Sequence, residues 1–484
     1  MKSNWFDYES VLRRAMMAMD YDSGTRTMRV LEFYCGIGGL RYSLEESGVN
    51  AVVVDAFDIN AVGNDVYQHN FGHRPNQANI QALNVKQLDK YKADAWLLSP
   101  PCQPYTRQGL QKDADDARAF SFLKMLELLP LMTSPPTHLL VENVVGFENS
   151  ITHSRLLAVL KDAGFKTQEF ILSPLQFGIP YSRPRYFCLA KREPLAFLSP
   201  VYNGLLLCEP GPLLGCAGSK SSSGLNDENK NPCLRDEVAE EDKTLDTGRD
   251  VALKPKRNEP ILDPGVISRS IRDFLESVPS APEEAQFRPL EDEETVRVLL
   301  QDSLESFRLD SRSTVAQLSG ENEAECASLD RERSGACEED PFAAYRVPLN
   351  VVQRWVDAYD VVTPESVRCC CFTKSYTRYA KGTGSFLATA VSTQERSEIS
   401  FAKHIANMRS EGQSLVELGL RYFTPREVAN FHSFPRNFTF PVHVRLKQRY
   451  ALLGNSLSVA VVSSLLKYLF ATPAEPASTT LSSA

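Results

Sequence analysis

Short apolar runs alternate with amphipathic stretches along residues 29–200. Six runs have the length and the β-branched or aromatic content that is typical of buried strands. They are Arg29–Tyr34, Ala51–Phe57, Ala95–Leu98, His138–Glu142, Thr167–Leu172 and Tyr186–Ala190. Stretches with helical periodicity, such as Leu40–Glu46 and Ala117–Leu129, lie between them. Alternating strands and helices predict an α/β fold, in which a parallel sheet carries helices on both faces.

The pattern changes after residue 202. Residues 203–340 hold 31 Asp and Glu against 16 Lys and Arg, and they are rich in Ser and Asn. This composition predicts an acidic, mostly disordered insert, interrupted by a short helical piece at Ile267–Leu275. Apolar periodicity returns near Phe342 and ends in a strongly apolar helix at Ser456–Phe470.

Composition and charge narrow the class of protein. The chain is 43% hydrophobic and 24% charged, which is typical of a soluble globular protein. The net charge of −8 by itself argues against nucleic-acid binding. The residues outside the acidic insert, however, have a net charge of +7, which is compatible with binding a phosphate backbone. We expect no membrane-spanning helix and no secretory signal. The 11 cysteines are expected to be reduced thiols in the cytoplasm or the nucleus.

A glycine-rich turn follows the first predicted strand. Gly36, Gly38 and Gly39 allow the backbone to turn tightly and to approach a ligand. Asp58 follows the second predicted strand, where a carboxylate can accept hydrogen bonds from both hydroxyls of a ribose. The G-x-G-G spacing favours a nucleoside cofactor over a dinucleotide. An ordinary tight turn is the alternative interpretation.

A cysteine lies in a proline-rich loop after the strand Ala95–Leu98. The segment Ser99–Pro104 contains three prolines, which fix φ, remove backbone donors and stiffen the loop. A stiff loop that presents one cysteine is typical of a nucleophile that needs accurate placement. An inert buried thiol is the alternative for Cys102, but the surrounding prolines favour the nucleophile.

Two further segments bring charged groups to the same predicted edge of the sheet. Glu142 ends a predicted strand, where its carboxyl group can share a proton with a ring nitrogen of a base. Arg183 and Arg185 alternate at the start of another strand, so both can point to one face and contact a phosphate or a base. An ion-paired or helix-capping glutamate and a solvated basic strand are the alternatives.

In this order and spacing, the four segments resemble the motifs of the cytosine-5 methyltransferase family. Arg421–Glu427, with Thr424 as a helix cap, and Leu453–Leu457 resemble the family's last motifs. The resemblance implies a Rossmann-like S-adenosylmethionine (SAM)-dependent methyltransferase fold, closed by the C-terminal helix. It implies that Cys102 is the nucleophile, assisted by Glu142, Arg183 and Arg185. It implies a SAM site formed by Tyr34, Gly36, Ile37, Gly38, Gly39, Leu40, Asp58, Ile59, Ile80, Pro100, Asn455 and Ser456.

One more segment resembles the tRNA-aspartate methyltransferase branch of this family, which modifies cytosine 38 in the anticodon loop. It lies in the expected target-recognition domain and begins Cys-Phe-Thr at residue 371. The resemblance implies that tRNA, tRNA-Asp in particular, is the partner. The substrate-binding residues would be Cys371, Phe372, Thr373, Lys374 and Arg378. A DNA cytosine-5 methyltransferase and a catalytically silent nucleic-acid-binding protein are the alternatives. The adjacent cysteines 369–371 lack the spacing of a zinc site, so no metal is expected.

The expected organisation is that of a monomer with five parts. They are an N-terminal extension at 1–27, a catalytic domain at 28–202 completed by 447–471, the insert at 203–340, a small target-recognition domain at 341–446 and a disordered tail at 472–484.

Overall fold

The computed structural model describes residues 26–105, 113–214, 266–277, 340–355, 360–379, 382–390, 407–408 and 415–473. Most of the predicted N-terminal extension, of the acidic insert and of the C-terminal tail lies outside these ranges. The chain divides into two compact units, Met1–Glu276 with Val347–Ala484, and Ser277–Arg346. The described part of the second unit contains a 3₁₀ turn at Ala343–Tyr345, and all elements below belong to the first.

A seven-stranded sheet forms the centre of the first unit. Its strands are β1 (Met28–Phe33), β2 (Ala51–Phe57), β3 (Ala95–Leu98), β4 (His138–Val144), β5 (Phe165–Leu172), β6 (Arg185–Arg192) and β7 (Leu206–Leu207). Their order is β2-β1-β3-β4-β6-β5-β7. The α/β prediction is confirmed, but β6 runs antiparallel to β4 and β5. The connection from β5 to β6 contains a 3₁₀ turn at Pro174–Phe177 and no crossover α-helix, which fits the antiparallel pairing of these two strands.

Helices cover both faces of this sheet, as predicted. The described helices of the first unit are α1 (Gly39–Ser47), α2 (Ala61–Phe71), α3 (Val85–Tyr91), α4 (Phe120–Leu128), α5 (Ile151–Asp162), α6 (Leu349–Trp355), α7 (Pro425–Phe431), α8 (Leu446–Gly454) and α9 (Val459–Phe470). On one face, α1 and α9 share a hydrophobic cluster that includes Leu44 and Leu465. On the other face, α3, α4 and α5 share a cluster around Trp96.

The last helix is a core helix. The segment Leu446–Phe470, which comprises α8 and α9, is long and apolar enough to cross a membrane. However, 67% of its most apolar stretch is buried inside the protein. The buried ammonium group of Lys191 donates to the carbonyls of Ala196 and Ala471, at 2.9 and 2.5 Å. Burial lowers the pKa of Lys191 to about 8. This contact ties the C-terminal end of α9 to the sheet.

A small three-stranded sheet lies in the predicted target-recognition domain. Its strands are β8 (Asp360–Val362), β9 (Ser385–Ala388) and β10 (Leu420–Arg421), in the order β10-β9-β8. An isolated bridge between Tyr181 and Cys369 joins the segment before β6 to this domain. The predicted capping box at α7 is confirmed, because the hydroxyl of Thr424 accepts from the N–H of Glu427 at 3.1 Å.

Two parts of the predicted insert are ordered. Strand β7 extends the main sheet past the predicted boundary at residue 202, and Gln176 donates through Nε2 to the carbonyl of Cys208 at 2.7 Å. Ile271 and Phe274 lie on a 3₁₀ turn and are buried, with Phe274 stacked on Phe431 at 5.0 Å between ring centroids. The predicted helical piece at Ile267–Leu275 is thus a shorter 3₁₀ turn at Ile271–Phe274, which is buried against the core. Cys208 is disulfide-bonded, which departs from the expectation of reduced thiols.

Candidate active site

The carboxyl ends of the parallel strands meet in one row. Phe33 at the end of β1 pairs with Phe57 of β2 and with Leu98 of β3, and Leu98 is paired with β4 on its other side. Because β6 runs the opposite way, its first residue, Arg185, lies at the same edge. Open α/β sheets bind ligands at this edge. The four chemistry-bearing segments found in the sequence therefore come together there.

Asp58 fastens the glycine turn to the start of α2. Its Oδ2 accepts from the N–H of Gly36 at 2.8 Å, and its Oδ1 accepts from the N–H of Asn60 at 2.7 Å. Burial raises the pKa of Asp58, and these backbone donors oppose that rise. Gly36 has a φ of 51°, in the left-handed region that glycine adopts with least strain. A carboxylate has about four acceptor sites, so Asp58 keeps capacity for a ligand.

A cavity of about 480 Å³ opens at this edge, a size typical of cofactor sites. Eleven of the twelve predicted cofactor residues and all four predicted catalytic residues line it. They are Tyr34, Gly36, Ile37, Gly39, Leu40, Asp58, Ile59, Ile80, Pro100, Asn455 and Ser456, with Cys102, Glu142, Arg183 and Arg185. The exception is Gly38, where a Cβ atom would lie 2.2 Å from the ring of Phe71. Gly38 is therefore required for packing against α2, and it does not line the cavity.

Several residues that line the cavity were not predicted from the sequence. They include Asn60, Asn79, Gln81, Ser99, Arg118 and Ser121. Ser99 carried a usable signal, because it is the first polar residue after a buried strand. Arg118, ion-paired with Asp116 at 2.6 Å, and Ser121, which receives a hydrogen bond from Tyr34 Oη at 3.1 Å, look in the sequence like ordinary surface residues next to a helix.

Cys102 lies on a braced loop. The amide of Tyr105 donates to the carbonyl of Cys102 at 3.0 Å, and Asn143 Nδ2 donates to the carbonyl of Pro100 at 3.4 Å. The ring of Tyr105 packs against Phe147, with 4.9 Å between centroids. Burial raises the pKa of the Cys102 thiol, and Arg185 acts against that rise. The resting thiol is thus protonated near neutral pH, and a cation stands where it can stabilise the thiolate.

Glu142 is nearly buried and contacted at both carboxylate oxygens. The hydroxyl of Ser99 donates to Oε2 at 2.6 Å, and Arg185 Nε lies 3.6 Å from Oε1. Its exposed fraction is 7%, yet it lines the cavity. A carboxyl group held in this way has a fixed orientation and can exchange a proton with a bound base.

The two arginines, which the sequence treats as equivalent, differ in the structure. Arg183 is 3% exposed, and its guanidinium contacts backbone carbonyls of two distant segments. Arg185 contacts the carbonyl of Pro184 through Nη1 and faces Glu142. Arg185 is therefore the arginine that acts on Cys102 and contacts Glu142, whereas the hydrogen-bond donors of Arg183 are largely engaged within the protein.

The Cys-Phe-Thr segment lies beside the cavity, and none of its five predicted substrate residues is among the lining residues. Phe372 is buried, stacked on Tyr181 at 5.6 Å, so its ring belongs to the core. The backbone of Thr373 packs against Gly454. A Cβ atom on Gly454 would lie 2.2 Å from the carbonyl carbon of Thr373. Lys374 and Arg378 are exposed, as a phosphate-binding role requires.

The cavity residues fit an adenosine-type cofactor. Asp58 offers carboxylate oxygens, and Ile59, which is 71% exposed on the cavity wall, offers an apolar surface for a base. Asn455 and Ser456 add polar groups next to the glycine turn, since a Cβ atom at Gly39 would lie 3.0 Å from Ser456 Oγ. Within the described ranges, no cluster of three or more His, Cys, Asp or Glu side chains could hold a metal ion.

A Rossmann-like sheet whose glycine turn and Asp58 lie next to a braced cysteine, a carboxyl group and an arginine is typical of a SAM-dependent methyltransferase. The chain belongs to the C-5 cytosine-specific DNA methylase family, which it matches over residues 28–241 and 275–471. The family resemblance found in the sequence is thereby confirmed.

Individual relatives sharpen this assignment. The chain is 36% identical to the human protein named tRNA (cytosine(38)-C(5))-methyltransferase, over 92% of this chain and 99% of the relative. It is 32% identical to a Dictyostelium discoideum protein named DNA (cytosine-5)-methyltransferase, over 91% and 94%. The crystal structure of the Schizosaccharomyces pombe Dnmt2 methyltransferase matches with a TM-score of 0.59 and 28% identity, over 92% and 98% of the two chains.

Proposed function

We propose that this protein transfers the methyl group of SAM to carbon 5 of cytosine 38 in the anticodon loop of tRNA-Asp. The observation that carries the chemistry is that Cys102, Glu142 and Arg185 line the same cavity as the glycine turn and Asp58. The similarity to relatives named for cytosine 38 of tRNA supports the substrate.

Cys102 begins the reaction. Carbon 5 of cytosine is a poor nucleophile, and attack by the Cys102 thiolate on carbon 6 moves the electron pair of the ring double bond towards carbon 5. Arg185 favours the thiolate that this step requires, because it opposes the effect of burial on the pKa of Cys102. Bound SAM supplies an electrophilic methyl group for carbon 5.

Glu142 stabilises the negative charge that develops on the cytosine ring. In its protonated form it can donate to ring nitrogen 3, which stabilises the adduct as electron density builds up. The hydrogen bond from Ser99 fixes the Oε2 side of the carboxyl group and leaves the other side near Arg185. A base then removes the carbon-5 proton, the ring double bond re-forms, and the Cys102 sulfur leaves carbon 6.

A target base must leave its stack to reach Cys102. An unpaired anticodon loop permits this more cheaply than a duplex does. The exposed side of the recognition segment suits such a loop, because Lys374 and Arg378 offer cations and Tyr379 offers an aromatic ring that is 61% exposed. Arg378 lies 6.0 Å from the centroid of that ring. Stacking on aromatic side chains is a common way to hold unpaired bases.

DNA is the second candidate substrate, because one relative at 32% identity is named a DNA methyltransferase. The deciding experiment measures methyl transfer to three substrates: a tRNA-Asp transcript, the same transcript with uridine at position 38, and cytosine-containing duplex DNA. We expect transfer to the first alone. Faster methylation of duplex DNA than of the tRNA-Asp transcript would replace tRNA by DNA, and equal transfer to both transcripts would move the target away from position 38.

A further inference from the structure

The Arg183 side chain uses nearly all of its hydrogen-bonding capacity within the protein. Nη1 donates to the sulfur of Cys371 at 3.2 Å and to the carbonyl of Phe372 at 3.3 Å. Nη2 donates to the carbonyl of Gly454 at 3.2 Å and to that of Ser456. The fifth donor, Nε–H, is buried and has no acceptor among the described residues.

These acceptors belong to two different sites. Gly454 and Ser456 line the cofactor cavity, whereas Cys371 and Phe372 begin the recognition segment. The backbone just before Arg183 also contacts the chain next to the recognition segment, because the amide of Ser182 donates to the carbonyl of Cys369 at 3.0 Å. One side chain thus fixes the cofactor motif and the recognition segment relative to each other.

The physical chemistry of this contact makes the two segments interdependent. A guanidinium group is a rigid planar fork, so its two Nη atoms cannot be reoriented independently. A buried donor that loses its acceptor costs more free energy than an exposed one, and charged donors cost most. Movement of either pair of acceptors therefore disturbs the hydrogen-bond geometry at the other pair.

We propose that Arg183 couples cofactor binding to tRNA binding. A ligand that orders residues 454–456 also orders the position of residues 371–372 through Arg183, and the reverse holds equally. Such coupling is reciprocal, so tRNA should tighten SAM binding by the same factor by which SAM tightens tRNA binding. This inference rests on the proposed tRNA substrate, and it makes Arg183 a positioning residue, distinct from Arg185 beside the reacting groups.

The test measures SAM affinity by calorimetry with and without saturating tRNA-Asp transcript, in a Cys102→Ala background that prevents turnover. We expect tRNA to tighten SAM binding about fivefold or more, the lower end of ordinary coupling. Arg183→Lys keeps the positive charge but lacks the fork, so the ratio should fall to about one. Lys374→Ala is the matched control, because it should weaken tRNA binding and leave the ratio at saturation unchanged.

Tyr181→Phe provides a second variant in case Arg183→Lys fails to fold. It removes a hydroxyl that lies 3.5 Å from the Phe372 carbonyl and 2.8 Å from His432 Nε2, so it should lower the ratio while the ring stack remains. A ratio of one in the parent, or an undiminished ratio in the folded Arg183 or Tyr181 variant, would overturn the coupling. If the parent binds duplex DNA and not tRNA, the substrate assignment fails alone, and the same ratios measured with DNA decide the role of Arg183. Binding of neither nucleic acid would overturn both proposals.

Discussion

The thiol pKa values of two cysteines beside the same cavity, Cys102 and Cys371, are shifted in opposite directions. Burial raises the pKa of Cys102, Glu142 adds to that rise, and the lowering effect of Arg185 does not compensate. Burial also acts to raise the pKa of Cys371, but Arg183, whose Nη1 lies 3.2 Å from the sulfur, and then Arg185 outweigh it, so this pKa is lowered. The recognition segment therefore carries the more acidic thiol, and the proline-rich loop carries the proposed nucleophile.

Under the proposed mechanism, the placement of Cys102, more than the acidity of its thiol, makes it the nucleophile. Cys102 lines the cavity next to Glu142, whereas Cys371 does not line it and its sulfur accepts a hydrogen bond from Arg183. A thiol of higher pKa is also the intrinsically stronger nucleophile once it is ionised. Arg183 is the main cause that lowers the pKa of Cys371, so the acidity of this thiol follows from its hydrogen bond to Arg183 and is no sign of a catalytic role.

The largest expected effect comes from removing each sulfur in turn. Cys102→Ala should lower the single-turnover rate of methyl transfer to tRNA-Asp by at least about 10³-fold, since nucleophile deletions cost this much or more. Cys371→Ala should lower it by less than about tenfold, because it removes one of four contacts to Arg183. Unchanged SAM affinity in both variants is the control. A comparable loss in the Cys371 variant would reverse the assignment.

Glu142→Gln should have the second-largest effect. The amide can hydrogen-bond but cannot transfer a proton, so we expect a rate about 10²-fold lower, the lower end of general acid catalysis. Ser99→Ala is the matched control, because it removes the 2.6 Å hydrogen bond to Glu142 and leaves the acid in place. A rate for Glu142→Gln within a few-fold of the parent would leave the carboxyl group with a structural role only.

The pH dependence of alkylation tests the electrostatic contrast directly. Iodoacetamide reacts with thiolates, so the midpoint of the rate against pH reports each thiol's pKa. The midpoint for the Cys102 peptide should lie above that of free cysteine, and the midpoint for the Cys371 peptide should lie below it. Arg185→Gln should move the Cys102 midpoint still higher, because a cation that lowers this pKa is lost. Coincident midpoints would contradict the contrast.

The smallest expected effect concerns the exposed side of the recognition segment. Replacing Lys374 and Arg378 together by alanine should weaken tRNA binding about three- to tenfold and reduce its salt dependence, because phosphate contacts release counterions. SAM affinity should stay the same. Arg74, which follows α2 and is ion-paired with Asp65 at 2.6 Å, provides a charge-removal control outside the recognition segment. Equal tRNA affinity of the double variant and the parent would assign both cations to an ordinary solvated surface.

The cofactor edge could be predicted from the sequence because its signals are local. Strand ends, the glycine turn and the proline-rich loop are contiguous patterns, and a parallel sheet brings strand ends to one edge. Eleven predicted cofactor residues and four catalytic residues accordingly line one cavity. The predicted role of Gly38 differs because Phe71, 33 residues away, determines what fits there.

The recognition side could be predicted less well because its geometry is set by distant contacts. Arg183 and Arg185 look alike in the sequence, and only packing against residues 188 to 273 positions away distinguishes them. Phe372 belongs to the core because Tyr181 lies beneath it, which no local pattern indicates. The antiparallel direction of β6 likewise depends on which strands it pairs with, and the burial of Phe274 depends on its stacking on the distant Phe431.

Trapping of the covalent adduct tests the proposed reaction most directly. A tRNA-Asp transcript with 5-fluorocytidine at position 38 carries fluorine where the carbon-5 proton would be lost, so the sulfur cannot leave after methyl transfer. With SAM present, we expect a stable protein–RNA adduct whose peptide map places the RNA on Cys102, and no adduct with Cys102→Ala. An adduct on Cys371, or an adduct with 5-fluorocytosine in duplex DNA but not in tRNA, would contradict the proposed nucleophile or the proposed substrate.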